Sequence, residues 1–138
     1  MPYSSINWLA IVVAALVPMI VGALWYSPAL FAKQWMQHIG KTEEEIKKAS
    51  SNPAAMYGVT FLCALVMSYV LNYFVTYTSS FTFMQGVKIG FATWLGFVAT
   101  THLASVTFEF KPRGLYYINM GYNLIAFLLM GGILAVWR

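Results

Sequence analysis

The sequence predicts an all-α, polytopic membrane protein: four transmembrane helices plus a short interfacial amphipathic helix after the first span. Three observations predict it. Of 138 residues, only 8 are Lys or Arg and 4 are Asp or Glu, a charged share of 9% with 60% hydrophobic, where a soluble domain carries about 25% charged residues. The charges are bunched, leaving charge-free stretches at 1–32, 49–87, 89–108 and 114–137, each as long as the roughly 20 residues that a helix needs to cross the hydrocarbon core. None of these stretches alternates with the period of two that a membrane β-barrel would show. The composition excludes an ordinary soluble domain, a disordered tail and a disulfide scaffold.

The first span is predicted at 6–26. Trp8 at one end and Trp25-Tyr26 at the other are placed as an aromatic belt would place them. Pro18 predicts a kink near Ala14–Pro18, because it removes a backbone donor and crowds the preceding turn. The stretch is not a signal peptide, since it has no basic lead and no small-residue cleavage site. The link 27–53 follows. Ser27-Pro28 reads as the start of a short helix, with Leu30, Phe31, Trp35 and Ile39 on one side and Lys33, Gln34, Gln37 and Lys41 elsewhere, as in a helix lying in the headgroup plane. Thr42 reads as the cap of a second short helix, with Glu43, Glu44 and Glu45 in its first turn and Lys47 and Lys48 later, matching the helix dipole. Ser50-Ser51-Asn52-Pro53 breaks it. Spans two, three and four are predicted at 54–77, 84–108 and 115–137, the last two joined by a Pro112-Arg113-Gly114 turn. Links this short predict antiparallel, adjacent neighbours, and the whole chain, 1–138, reads as a single transmembrane domain.

Orientation follows from the basic residues. Lys33, Lys41, Lys47 and Lys48 lie in the first link and Lys111 and Arg113 in the third, while the opposite side has Arg138 and Lys88 at most. The positive-inside rule then puts both basic links in the cytoplasm and both termini outside it, in the cell inner membrane. The net charge of +4 needs no nucleic-acid partner; anionic lipid headgroups are the expected neighbours of the basic links. The single cysteine, Cys63, allows no internal disulfide and reads as a small buried apolar residue of span two.

Polar side chains inside apolar spans are costly and so mark where to look for function. His102, Asn119 and Asn123 fall at similar depth near the cytoplasmic side of spans three and four, with Thr100 or Thr101 beside them. If the two helix faces oppose each other they form a polar layer. Glu109, farther out, would be placed to exchange a proton with His102. The other reading of the layer is hydrogen-bonded glue between helices. No metal site is expected, since His38 lies in the interfacial helix and no HxxxH or ExxH spacing occurs. Asn72, Ser68 and Asn7 make a second, outer set, with Asn7 equally suited to cap the first helix. The interfacial residues Trp25, Tyr26, Ser27, Phe31, Trp35, Trp94 and Tyr122 read either as anchors or as an amphipathic groove for a lipid or quinone-like ligand. No cofactor is implied. Gly86-x-x-x-Gly90 and the i+4 ridge Ala92, Gly96, Thr100, Ala104 are faces on which helices can approach closely, within one chain or between two.

Several of these residues occur in a specific order: Asn7-Trp8, then Gly22-x-x-Trp25-Tyr26-Ser27-Pro28-x-x-Phe31-x-x-x-Trp35, Trp94-Leu95-Gly96-Phe97, Phe108-Glu109, and Ile118-Asn119-x-Gly121-Tyr122. In this the chain resembles the domain of unknown function 1761 family of small bacterial membrane proteins, over nearly its whole length. The resemblance implies a four-helix integral membrane protein and implies no activity. The positions it rests on are Trp25, Tyr26, Ser27, Pro28, Trp94, Gly96, Asn119 and Gly121; His102 is not among them.

Three functions compete. One is a homo-oligomeric accessory, structural or lipid-interacting protein. Another is a small transporter or channel, with its polar site near the cytoplasmic side of spans three and four. An apolar middle containing Val66, Met67, Phe97 and Phe127 counts against a permanently open pore. The third, an intramembrane enzyme, finds no Ser-His-Asp set, HExxH, paired carboxylates or phosphate loop to support it.

Overall fold

The computed structural model describes residues 6–49 and 52–137. Ser50, Ser51 and Arg138, drawn on above, lie outside the described residues. All regular structure among the described residues is helical: α1 (Trp8–Trp25), α2 (Ala32–Ile39), α3 (Glu43–Ala49), α4 (Pro53–Tyr77), α5 (Phe83–Thr93), a π-helical segment (Trp94–Ala99), α6 (Thr100–Glu109) and α7 (Arg113–Val136). The segment Phe83–Glu109 forms one continuous rod. With α1, α4 and α7 it makes four helices long and apolar enough to cross a membrane.

Local chemistry starts these helices. Asn7 caps α1 by accepting from the Ala10 amide at 3.1 Å and also donates to the Trp137 carbonyl at 3.4 Å. Asn52 caps α4 the same way, with Pro53 in the first turn where its missing N–H costs nothing. Thr82 and Gln85 form a reciprocal capping box at the start of α5. Thr42 receives the Glu45 amide at 3.2 Å, and Glu43 pairs with Lys47 at 3.4 Å.

The helix α7 is the hub. In its most apolar stretch 50% of residues are buried, against 11% in Phe83–Glu109. It packs on α5 most extensively, then on α1, and α1 also packs on α4. Small side chains permit this. Ala10, Ala14 and Ala15 of α1 are buried with Ile11, and the core joins them to Leu71, Val75, Phe127, Met130, Leu134 and Ala135. At the α5–α7 crossing the backbones touch: a Cβ on Gly86 would be driven into the Gly131 carbonyl, and one on Gly90 into the Phe127 carbonyl. The GxxxG of span three is therefore used within the chain. Ser68, fully buried on α4, donates to the Ile11 carbonyl of α1 at 2.8 Å, so of the outer polar set Asn7 serves as a cap and Ser68 as a tie between helices.

Several sequence expectations are corrected. Ser27-Pro28 does not start α2; residues 26–31 form a run of turns and the helix begins at Ala32. The Ser27 hydroxyl turns back to the Leu24 carbonyl at 2.6 Å, closing α1 instead of opening α2. The sharp reversal before α7 lies at Phe110, whose φ of 54° is left-handed, and Arg113-Gly114 are already helical. Cys63 is exposed on the outer side of α4. Of the two short links, the one between spans three and four joins the most extensively packed pair, α5 and α7, as expected, whereas across the other α4 and α5 touch only lightly.

Candidate functional site

The polar layer expected from His102, Asn119 and Asn123 is divided by the structure. On the third span the polar side chains fold back onto their own helix. Thr100 Oγ1 donates to the Gly96 carbonyl at 2.8 Å, Thr101 to the Phe97 carbonyl, and the His102 Nδ1 lies 2.9 Å from the Val98 carbonyl. From α7, the Tyr116 hydroxyl donates to the Ala99 carbonyl at 2.8 Å. Four successive carbonyls, 96 to 99, thus each receive a side chain. The first three are bonds to the carbonyl four residues back, which Thr60 and Thr107 also make in plain α-helix and which compete with partners on another helix. No hydrogen bond among the described residues joins His102 to either asparagine, and Thr100, Thr101 and His102 are all exposed. Glu109 pairs with Lys111 at 2.7 Å, both exposed.

The two asparagines join the aromatic set instead. Tyr26, at the end of α1, donates its hydroxyl to Asn119 Oδ1 at 2.6 Å, and Asn123 Nδ2 donates to the Asn119 carbonyl at 3.1 Å. The Tyr26 ring stands edge-on to Tyr122 at 5.5 Å and to Trp35 of α2 at 5.6 Å. Tyr122 donates to the Pro18 carbonyl at 2.7 Å. Pro18 thus brings a bond to α7 from the middle of α1. Trp25 lies against Phe31, with ring centroids 4.7 Å apart, and its indole N–H donates to the Ile118 carbonyl at 2.8 Å. Trp94, from the π segment, donates to the Met120 carbonyl at 3.2 Å. Two residues apart is about 200° around a helix, so two tryptophans from different spans hold nearly opposite sides of α7 at one level.

Six of the seven aromatic-groove residues, Trp25, Tyr26, Phe31, Trp35, Trp94 and Tyr122, are therefore gathered around the first half of α7; Ser27 stays with α1. They fill the space between helices. A Cβ on Gly121 would stand 2.8 Å from Trp25 Cζ2, and one on Gly114 would collide with the His38 ring of α2. Glycine at 121 and 114 is what lets a tryptophan and a histidine lie flat on α7. Sequence reasoning singled out neither His38 nor Gly114 for this; they are far apart in the chain, and neither stands in a motif. Among the described residues no buried side-chain nitrogen or oxygen lacks a partner, and no three His, Cys, Asp or Glu side chains come together. The donors of this cluster are spent on carbonyls and on Asn119. Its chemistry is that of a hydrogen-bonded clamp joining α1, α2 and the π segment to α7.

A family model described as a protein of unknown function (DUF1761) matches residues 9–135. The chain belongs to the DUF1761 family. No curated protein matches it, and no solved structure does. Within the matched residues, Trp25 and Tyr26 close α1, Asn119 and Gly121 receive them on α7, and Trp94 completes the clamp. Gly96 also lies within the match and stands in open space, with nothing within 4 Å of a Cβ built there.

Proposed function

We propose that this DUF1761 protein is a membrane-embedded accessory or structural protein that works as a homo-oligomer, with the third span as its contact face. One observation carries the proposal. Ala92, Gly96, Thr100 and Ala104 are all exposed, and they form a ridge with no side chain larger than threonine. An i+4 ridge drifts about 40° per step around an α-helix. The wider π turn, with more residues per turn, offsets part of that drift. Small residues of this kind let two helices approach to backbone contact. Beside the ridge, Thr101, His102 and Ser105 are exposed as well, within about two and a half turns of the midpoint of a 27-residue rod. Polar side chains at such depth are found facing protein or water, not lipid tails. A second copy of the same face supplies that cover.

In this reading the membrane is the cell inner membrane and the end bearing α2 and α3 is cytoplasmic. Transport through a joint His102–Asn119–Asn123 site draws no support from the geometry, since His102 and Asn119 bond to different partners. Native mass spectrometry in mild detergent tests the proposal. Dimers or larger assemblies are expected for the native chain, and monomers for Gly96→Leu, with the helical circular dichroism unchanged. Monomer alone for the native chain, or an assembly that Gly96→Leu leaves intact, overturns it.

A further inference from the structure

Between α2 and α3 the chain turns sharply at Gly40, whose φ is +69°, and the two short helices flank a shallow, open cavity of about 420 Å³. Lys33, Met36, Gln37, Lys41, Thr42 and Glu43 line it. Neither lysine makes an ion pair among the described residues; the two pairs there are Lys47–Glu43 and Lys111–Glu109. The acid of the cavity is thus directed to Lys47 on its own helix, and Lys33 and Lys41 keep their charge for something else. Two contacts fix the height of α2. Trp35 meets the Tyr26 ring, and His38 lies on Gly114 at the start of α7. The cavity therefore sits beside the end of α1 and the start of α7.

We infer that this cavity binds the phosphodiester of an anionic phospholipid headgroup, with Lys33 and Lys41 on the phosphate. The inference rests on the proposal that the basic links lie among cytoplasmic headgroups. Position favours a lipid over free phosphate, because the cavity lies beside the end of α1 and the start of α7, where headgroups stand. Chemistry favours it too. Gln37 and Thr42 supply neutral hydrogen-bonding groups for the glycerol, and Met36 adds an apolar side chain to the lining.

The test is the lipid retained per protomer by purified protein in mild detergent, read by native mass spectrometry. Phosphatidylglycerol is compared with phosphatidylcholine of the same chains. The native protein is expected to retain phosphatidylglycerol in preference. Lys33→Gln with Lys41→Gln lowers that retention roughly 30-fold, while Lys33→Arg with Lys41→Arg keeps it. Lys48→Gln with Lys111→Gln removes the same charge from the same side without freeing Glu43, and keeps it as well. The inference is overturned by equal losses in the two Gln pairs, by no loss in the first, or by no preference between the lipids. Displacement of the lipid by equimolar inorganic phosphate overturns the lipid assignment. Detergent has no sides and retention is counted per protomer. A wrong orientation or a monomeric protein would therefore leave this result standing.

Discussion

Tyr26 and Asn119 are 93 positions apart, and their bond shows what a single pair contributes in an apolar setting. Hydrogen bonds between membrane helices are worth about 0.6–2 kcal/mol, because the unfolded chain also finds partners there. Tyr26→Phe and Asn119→Leu are each expected to lower stability in detergent unfolding, and a double-mutant cycle between them should return a coupling of that size. Zero coupling would mean that the contact carries nothing. Gly121→Ala acts by shape alone. The new methyl meets Trp25 Cζ2 at 2.8 Å, a distance that real Cβ atoms do not adopt, so the ring shifts and its bond to the Ile118 carbonyl weakens. Overpacking of this kind costs about 1–3 kcal/mol, and the Trp25 fluorescence should change with the midpoint.

At the scale of elements, glycines that look alike in the sequence divide by what faces them. Gly90 meets the Phe127 backbone, whereas Gly58 of α4 has nothing within 4 Å. Gly90→Val must separate α5 from α7, and a fall in thermal midpoint is expected. Gly58→Ala gains helix propensity with no clash and should raise stability by about 0.5–1 kcal/mol; a fall would show that α4 is packed where it looks open. The four long helices were legible from hydropathy and charge spacing, because a membrane span is a property of composition over some 20 residues. The π segment was not. It differs from an α-helix by one residue in register, and nothing in Trp94–Ala99 marks that slip. Independently of it, Thr100, Thr101 and His102 each bond the carbonyl four residues back, an option that competes with a partner on α7. The residues of the candidate site were legible, but their pairing was not. Asn119 and Tyr26 carry complementary groups and found each other, while His102 bonds to its own helix.

For the whole molecule, orientation rests on very few residues. Six basic residues, Lys33, Lys41, Lys47, Lys48, Lys111 and Arg113, lie on the α2 side, against Lys88 and Arg138 opposite. Four of the six are in one link, where short-loop charge weighs most in setting topology. A reporter fused after Arg138 is expected to read outside the cytoplasm, since four crossings return the chain to the side on which it began. Changing Lys33, Lys41, Lys47 and Lys48 to Gln leaves two basic residues on each side. The bias then vanishes, and the same fusion should divide between the two orientations. The apolar spans and the α1–α7 clamp are untouched by these substitutions, so the protein should still insert and fold in either direction. A fusion that stays wholly outside after the four substitutions would show that something other than loop charge sets the orientation. One that reads cytoplasmic in the native chain would invert the orientation.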